Sequence, residues 1–169
     1  GGDLTIDGGS SATDRVNLDG AIVNTSGIIK SNAGTAVLSG SNTYTGATTV
    51  SGGTLRLGAA NRISDSSAVS VSSGATFDLN GNNETVGSIA GAGNVTLGAG
   101  QLTAGQDNSA TSFSGVMSGS GGAFTKLGSG TTTFSGSSAN TYSGVTTVNA
   151  GILTLAKTAG VNAIAGNVT

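Results

Sequence analysis

The chain has 169 residues, the size of one domain, with 31 glycines, only 8% charged residues and a formal net charge of −2. It has no cysteine and no histidine, which excludes a disulfide framework, a thiolate or imidazole metal site and a His-dependent catalytic triad. Six scattered basic residues argue against a nucleic-acid partner, and the uncharged stretches are too polar to predict a membrane span.

The first segment, Gly1 to Gly9, is rich in glycine and contains Asp3 and Asp7. It resembles the nonapeptide of calcium-binding β-rolls, but Leu4 stands where a turn glycine is required and no tandem copy follows. Calcium needs six to eight oxygen ligands. Asp3 and Asp7 are therefore a calcium candidate that the pattern supports only in part, and the sequence predicts no cofactor.

Short β-runs with alternating apolar residues follow along the chain, separated by clusters of Gly, Asn, Ser and Asp. The plainest runs cover residues 69–71, 76–79, 94–97 and 152–155. Frequent glycine and the lack of helical spacing among apolar residues argue against helices. The chain is therefore predicted to be all-β.

Three pairs of related segments have offsets of 22, 73 and 96 residues: 54–57 with 76–79, 94–96 with 167–169, and 34–40 with 130–136. With 22 residues as one turn, these offsets are interpreted as about one, three and four turns of a solenoid. The predicted fold is a right-handed parallel β-helix of about seven turns of roughly 22 to 25 residues each. The handedness follows the usual preference of such folds.

Residues 1–169 are predicted to form a single β-solenoid domain, as a segment of a longer repeat array with an internal long repeat of about 1–98 and 99–169. The 22-residue offset places Arg56 over Asp78 on adjacent turns, with both side chains outward. We expect an exposed salt bridge between them, worth about 0.2–1 kcal/mol.

The longest motif occurs twice and combines a lysine, an Asn-Thr-Tyr-x-Gly turn and a Gly-x-Leu-x-Leu strand. Its members are Lys30, Asn42, Tyr44 and Gly46 in the first copy, and Lys126, Asn140, Tyr142 and Gly144 in the second. This order resembles the autotransporter-associated β-strand repeat, a passenger-domain motif of Gram-negative type V secretion. The resemblance covers about a third of the chain and implies a secreted β-helical stalk that carries an adhesive or enzymatic part.

The tyrosines and the lysines of the motif each have two interpretations. The tyrosines could stack on sugars, but a turn side chain that packs over the neighbouring rung is favoured. The asparagines are expected to hydrogen-bond the local backbone, as they do in turns. The lysines could contact an anionic ligand, but they are expected to be surface gatekeepers that discourage lateral pairing of sheets.

The acidic residues are the remaining candidates for catalysis, since a glycosidase needs two carboxylates flanking a sugar. Asp3 and Asp7 could share a strand face, and Asp14 and Asp19 lie in a more irregular segment. No recognisable motif joins any of the eight acids, which are expected to be solvated surface charges. The sequence therefore predicts no catalytic residue and no enzyme.

The predicted function is structural: a rigid stalk or scaffold segment of a secreted protein, located outside the cell or at a bacterial cell surface. Its partners would be neighbouring repeats of the same chain. Two alternatives stay open. The chain could be a fibre subunit that joins copies of itself through open β-helix ends, or an adhesin that binds surface glycans along a Thr- and Asn-rich face.

Overall fold

The computed structural model describes residues 2–23 and 26–169, and within these ranges it contains strands, turns and loops but no helix. Every strand pair between described residues is parallel, and each strand pairs with strands of the turns before and after it. The chain is therefore an all-β parallel solenoid of about seven turns, which confirms the predicted fold class. The described residues include no helix long and apolar enough to cross a membrane.

In the part of the chain that the structure describes, eighteen strands form three sheets along the solenoid. The eight-stranded sheet contains β1 (Leu4–Asp7), β3 (Ile28–Ser31), β5 (Thr48–Val50), β7 (Ala68–Val71), β10 (Ser88–Gly91), β13 (Thr111–Phe113), β16 (Thr131–Gly136) and β18 (Ile152–Lys157). The six-stranded sheet contains β2 (Arg15–Leu18), β4 (Thr35–Leu38), β6 (Thr54–Leu57), β8 (Thr76–Asp78), β11 (Asn94–Thr96) and β14 (Val116–Ser118). The four-stranded sheet contains β9 (Glu84–Val86), β12 (Gln101–Ala104), β15 (Ala123–Lys126) and β17 (Thr146–Val148).

The turns are shorter than the sequence offsets indicated. The register advances by 24 residues from Leu4 to Ile28, but only by 18 residues from Glu84 to Leu102. Along the rest of the eight-stranded sheet a turn takes 20 to 22 residues, as from Ile28 to Thr48. The corner segments between the strands of each turn are therefore short.

The core is a set of inward columns in which equivalent residues of successive turns stack. In one column of the eight-stranded sheet, Val71, Phe113 and Phe134 are fully buried, and the two phenyl rings meet edge to face at 6.4 Å. Leu155 is in register with Phe134 but is 52% exposed, because no described turn stacks on it. Burial in this fold comes from stacking turns, since one strand cannot cover its own inward face.

On two of the three sides of the solenoid, the chain changes between strands and loops from one turn to another. In the first three turns the described residues on the side later occupied by the four-stranded sheet form no strand, and β9 is the first strand there. After β14 the six-stranded sheet ends, and residues 137–145 form a loop on that side. These replacements place the repeated motif on different sides of the molecule.

The two motif copies do not lie above one another. Lys30 belongs to β3 of the eight-stranded sheet, whereas Lys126 belongs to β15 of the four-stranded sheet. Four turns lead from Lys30 through the register to Phe113, and 13 further residues lead from there to Lys126. The interpretation of the 96-residue offset as four turns is therefore wrong, because the turns are shorter than the assumed unit.

The shorter offsets have different outcomes. The 22-residue offset is one turn, since Thr54 pairs with Thr76. The 73-residue offset is not a whole number of turns. Asn94 belongs to the six-stranded sheet, whereas Val168, next to its counterpart, bridges to Thr146 of the four-stranded sheet.

Candidate functional site

The motif residues surround two loops of equal length, which we call the first motif loop (residues 39–47) and the second motif loop (residues 137–145). Each loop replaces a strand, and its backbone still bonds to the neighbouring turns, as Thr43 N does to Ile22 O at 3.0 Å and Thr141 N to Met117 O at 2.9 Å. Side chains of the loops add further hydrogen bonds to these turns. The first motif loop lies on the side of the four-stranded sheet, and the second lies on the side of the six-stranded sheet.

The motif asparagines bridge three successive turns. Asn42 Oδ1 accepts a hydrogen bond from Ile22 N at 2.8 Å, and its Nδ2 donates to Arg62 O at 2.8 Å. Asn140 repeats both contacts, with Met117 N at 2.9 Å and Ala163 O at 2.8 Å. The expectation that these asparagines bond their own turn is therefore wrong, because the loop leaves groups of the adjacent turns unpaired.

The motif tyrosines are core residues. Tyr44 and Tyr142 are 1% and 0% exposed, and their hydroxyl groups lie 2.7 Å from Thr48 Oγ1 and 2.6 Å from Thr146 Oγ1. Burial raises the pKa of Tyr44 to about 12, and it raises that of Tyr142 as well. Neither ring can stack on a sugar, so the structural interpretation is the one that fits.

The motif lysines point into the molecule, and both are fully buried. Each ammonium donates to three backbone carbonyls at a corner: those of Ser31, Asn32 and Gly52 for Lys30, and those of Leu127, Gly128 and Ala150 for Lys126. Burial lowers the pKa of both lysines. The gatekeeper interpretation is wrong, because these groups close a corner of the solenoid and do not face a neighbouring molecule.

The motif glycines let the loops pack directly on the turn before them. A Cβ on Gly46 would lie 1.1 Å from Ser26 O, and one on Gly144 would lie 2.4 Å from Gly122 O. Real Cβ atoms do not approach other atoms below 3.0 Å. Any larger residue would therefore push these turns apart.

The structure places Arg56 and Asp78 opposite each other in register, with Arg56 Nε 2.7 Å from Asp78 Oδ2. The pair is more enclosed than the sequence suggested, since the two side chains are 38% and 10% exposed. Asp78 Oδ1 also accepts a hydrogen bond from Asn80 N at 2.8 Å. The aspartate thus both pairs with the neighbouring turn and caps its own corner.

The calcium candidate consists of Asp3 and Asp7, which are both exposed. Asp7 Oδ1 accepts a hydrogen bond from Gly9 N at 2.8 Å. The pKa of Asp7 is lowered first by a hydrogen bond from the Asn32 side chain, then by the Gly9 amide, and less by the charge of Lys30. Among the described residues no three acids gather to hold a metal ion.

Glu84 is a site that sequence reasoning missed. Its carboxylate was expected to be solvated, yet the residue is 1% exposed and accepts hydrogen bonds from Arg62 N at 2.9 Å and Ile63 N at 3.0 Å. Asp78, at 7% exposure, is the other buried acid. No sequence signal marks Glu84, because its partners are backbone amides of a loop one turn away.

A row of threonines was also missed. Thr85, Thr103, Thr125 and Thr147 are in register on the outward face of the four-stranded sheet, and Thr169 continues the row. Thr147 and Thr169 approach to 3.2 Å between their hydroxyl oxygens. Thr103, Thr125, Thr147 and Thr169 are 22 residues apart, so the turn length inferred from the sequence would have revealed this part of the row.

Comparisons with known proteins agree with the repeat geometry. The family model of the passenger-associated-transport-repeat matches residues 28–57 and 124–155, the ranges that contain the two motif copies. The adhesin BmaC autotransporter of Brucella suis biovar 1 (strain 1330) is 41% identical over an alignment of 162 positions, and the match covers 89% of this chain. The chain spans 5% of the length of that relative. No solved structure matches the chain.

Proposed function

Because the chain carries two passenger-associated-transport-repeats, we propose that it is a non-enzymatic scaffold segment, a rigid length of β-solenoid stalk in an autotransporter passenger. The repeat matches and the autotransporter relative confirm both the sequence resemblance and the expected location at the bacterial cell surface. The stalk role itself is our inference from the structure.

The observation that carries the proposal is the way polar groups tie successive turns together. Asn42 and Asn140 each link the turn before and the turn after, and Lys30 and Lys126 each link two turns at a corner. Thr111 Oγ1 is the single buried side-chain polar atom without a hydrogen-bond partner among the described residues. Satisfied buried networks of this kind rigidify a structure, which suits a part that must hold its length.

Small-angle scattering and negative-stain electron microscopy over a concentration series test the stalk. We expect monomeric rods of uniform width at every concentration. Growth of the particles into long unbranched fibres as concentration rises would contradict the stalk and favour the end-to-end fibre subunit. The matched control is a chain with Leu155→Lys, which places a charge on the exposed end column and would block such stacking without touching the interior turns.

An adhesive surface is a second candidate, favoured by the threonine row on the four-stranded sheet. The row is uncharged and places one threonine per turn at a strand spacing of about 4.8 Å. Thr125 is 7% exposed and its hydroxyl accepts a hydrogen bond from the Gln101 side chain at 2.8 Å, so the accessible part of the row is Thr85, Thr103 and Thr147. Such a face suits a neutral glycan. The buried tyrosines take no part, which corrects the earlier idea that they contact sugar.

Glycan-array binding tests this second candidate. The chain with Thr103→Arg and Thr147→Arg should lose any binding seen for the wild type, because two long charged side chains would cover the row. The matched control carries Thr133→Arg and Thr154→Arg on the outward face of the eight-stranded sheet. Equal binding by both variants would contradict a glycan site on the threonine row.

A further inference from the structure

Residues 58–67 and 158–166 lie one turn after the two motif loops, and we call them the first and second clasp loops. The second clasp loop is held by Asn140 of the second motif loop. Asn140 N donates to Asn162 O at 2.9 Å, and Asn140 Nδ2 donates to Ala163 O at 2.8 Å. One residue therefore fixes two consecutive carbonyl groups, both of which point back to the preceding turn.

The direction of these carbonyls also sets the direction of two amides. The peptide groups are trans, so the N–H and C=O of each group point in opposite directions. Ala163 N shares its peptide group with Asn162 O, and Ile164 N shares its group with Ala163 O. Both N–H groups therefore point to the side on which a further turn would stack, and neither has an acceptor among the described residues.

The first clasp loop shows what such a pair of amides binds. Asn42 Nδ2 donates to Arg62 O at 2.8 Å, which is the contact that Asn140 makes in the second copy. The two amides of this loop meet one carboxylate, because Arg62 N donates to Glu84 Oε2 at 2.9 Å and Ile63 N to Oε1 at 3.0 Å. Glu84 belongs to the next turn and is 1% exposed. A single acidic side chain of the following turn thus closes the first clasp loop.

Sequence and register support the equivalence of the two clasp loops. Both contain Asn-x-Ile, at residues 61–63 and 162–164. Both lead to a valine that pairs with the threonine partner of the motif tyrosine, which is Val69 after the first loop and Val168 after the second. The isoleucine of the first loop is 2% exposed, whereas its counterpart in the second loop is only partly buried. What the first loop has in addition is the turn that supplies the acid.

The charge of the surrounding chain favours an anion at the second clasp loop. Residues 108–169 contain no acidic residue, and their two charged side chains are Lys126 and Lys157. Both ammonium groups donate to backbone carbonyls of the solenoid. A carboxylate at Ala163 and Ile164 would therefore meet two N–H dipoles and no like charge from these turns.

We propose that the amides of Ala163 and Ile164 form a carboxylate-binding site, equivalent to the site that Glu84 fills in the first copy. Successive backbone N–H groups create an anion-binding concavity, and a carboxylate makes charge-assisted hydrogen bonds with them. The ligand is an ionised acidic side chain on a turn that stacks over the second clasp loop. The site rests on these hydrogen bonds, so it does not depend on whether the segment acts as a stalk or as an adhesive surface.

Nuclear magnetic resonance of the isotope-labelled 169-residue chain tests the site, with acetate as the probe for an acidic side chain. Acetate replaces chloride at constant ionic strength and constant neutral pH, and acetamide serves as the uncharged probe of similar shape. The amides of Ala163 and Ile164 are compared with those of Arg62 and Ile63, which already bind Glu84.

We expect acetate to shift the Ala163 and Ile164 amide protons downfield in a saturable way, because a hydrogen bond to a carboxylate deshields the proton. The Arg62 and Ile63 amides should not move, and acetamide should produce no saturable shift. Failure of the Ala163 and Ile164 amides to respond to acetate would overturn the proposal. So would an equal response to acetamide, or an equal response of exposed amides throughout the chain.

Two proline variants sharpen the test. Ala163→Pro removes one of the two donors and should weaken acetate binding, measured at Ile164, by about tenfold or more. Ala165→Pro removes the neighbouring amide, which is outside the pair, and should leave acetate binding unchanged. Equal affinities in the two variants would contradict the site.

A dilution series without acetate identifies the source of the natural ligand. Shifts at Ala163 and Ile164 that grow with protein concentration assign the acidic side chain to a second copy of the chain. Constant shifts, together with acetate binding, assign it to a turn within one chain. Both results support the carboxylate site, and they differ only in where the acid comes from.

Discussion

The two motif copies make the same contacts on different sides of the solenoid. The tyrosine hydroxyl lies 2.7 Å from its threonine partner in the first copy and 2.6 Å in the second, and the asparagine amide contacts agree equally well. Yet the first motif loop replaces a strand of the four-stranded sheet, and the second replaces a strand of the six-stranded sheet. The repeat therefore specifies a local unit of strand, corner and loop, and it does not specify a side of the molecule.

This independence has a physical reason. The contacts of each motif loop reach only the turns directly before and after it, as repeat proteins require. Any side whose neighbouring turns offer a free amide and a free carbonyl can accept the loop. The two copies then differ in how closely the neighbouring turns pack around them. Substitutions at matched positions can measure this difference as a change in the free energy of unfolding.

Alanine at the motif glycines should have the largest effect and should separate the copies most clearly. A Cβ at position 46 would overlap a backbone oxygen at 1.1 Å, whereas at position 144 the closest backbone oxygen lies at 2.4 Å. We expect Gly46→Ala to lower the free energy of unfolding by about 3 kcal/mol or more, and Gly144→Ala by about 1–3 kcal/mol. Urea denaturation measures both, and equal losses would contradict the difference in packing.

Removal of the bridging asparagines should have the next largest effect. Asn140 is 1% exposed, whereas Asn42 is half-buried, so water can replace its lost hydrogen bonds more easily. We expect Asn140→Ala to cost about 2–3 kcal/mol of unfolding free energy and Asn42→Ala about 1 kcal/mol. Thermal and urea unfolding of the two variants check this order. A larger loss of unfolding free energy for Asn42→Ala than for Asn140→Ala would contradict it.

Phenylalanine at the motif tyrosines removes one hydroxyl group and leaves the ring in place. Thr48 keeps the Ser67 hydroxyl as a partner at 3.0 Å when Tyr44 is changed. We expect Tyr142→Phe to cost about 1 kcal/mol and Tyr44→Phe about 0.5 kcal/mol. Chemical denaturation of both variants at pH 7 measures the difference, and a larger cost at Tyr44 would show that Ser67 does not compensate.

The smallest effect should come from a contact that only the first copy makes. Arg56 occupies the place that Thr154 takes in the second copy, and it pairs with Asp78. Arg56→Thr makes the copies alike at this position, and should cost about 0.2–1 kcal/mol because the arginine is partly solvated. A double-mutant cycle with Asp78→Asn isolates the pair, and a coupling above about 2 kcal/mol would contradict its surface character.

The predictable part of the fold depended on features that lie within one turn. The 22-residue offset correctly related Thr54 to Thr76, and with it the facing positions of Arg56 and Asp78. Alternating apolar residues also marked strands such as β7 and β11. These signals persist because each turn carries its own strands and corners.

Features that depend on several turns were not predictable in the same way. An offset of 96 residues divides evenly by 24, so the spacing alone did not indicate that Lys30 and Lys126 lie in different sheets. The burial of these lysines was hidden as well, because carbonyl acceptors are present in every sequence. Glu84 was missed for a similar reason, since its partners are the backbone amides of Arg62 and Ile63, and backbone amides are present in every sequence.

The change of side between the motif copies has a consequence for longer arrays. The step from the first copy to the second moves the motif loop by one side of a three-sided body. At constant spacing, the loop would return to its original side only after three copies. The surface would then repeat with a wavelength three times that of the sequence, and a flat neighbour lying along the solenoid would meet every third loop.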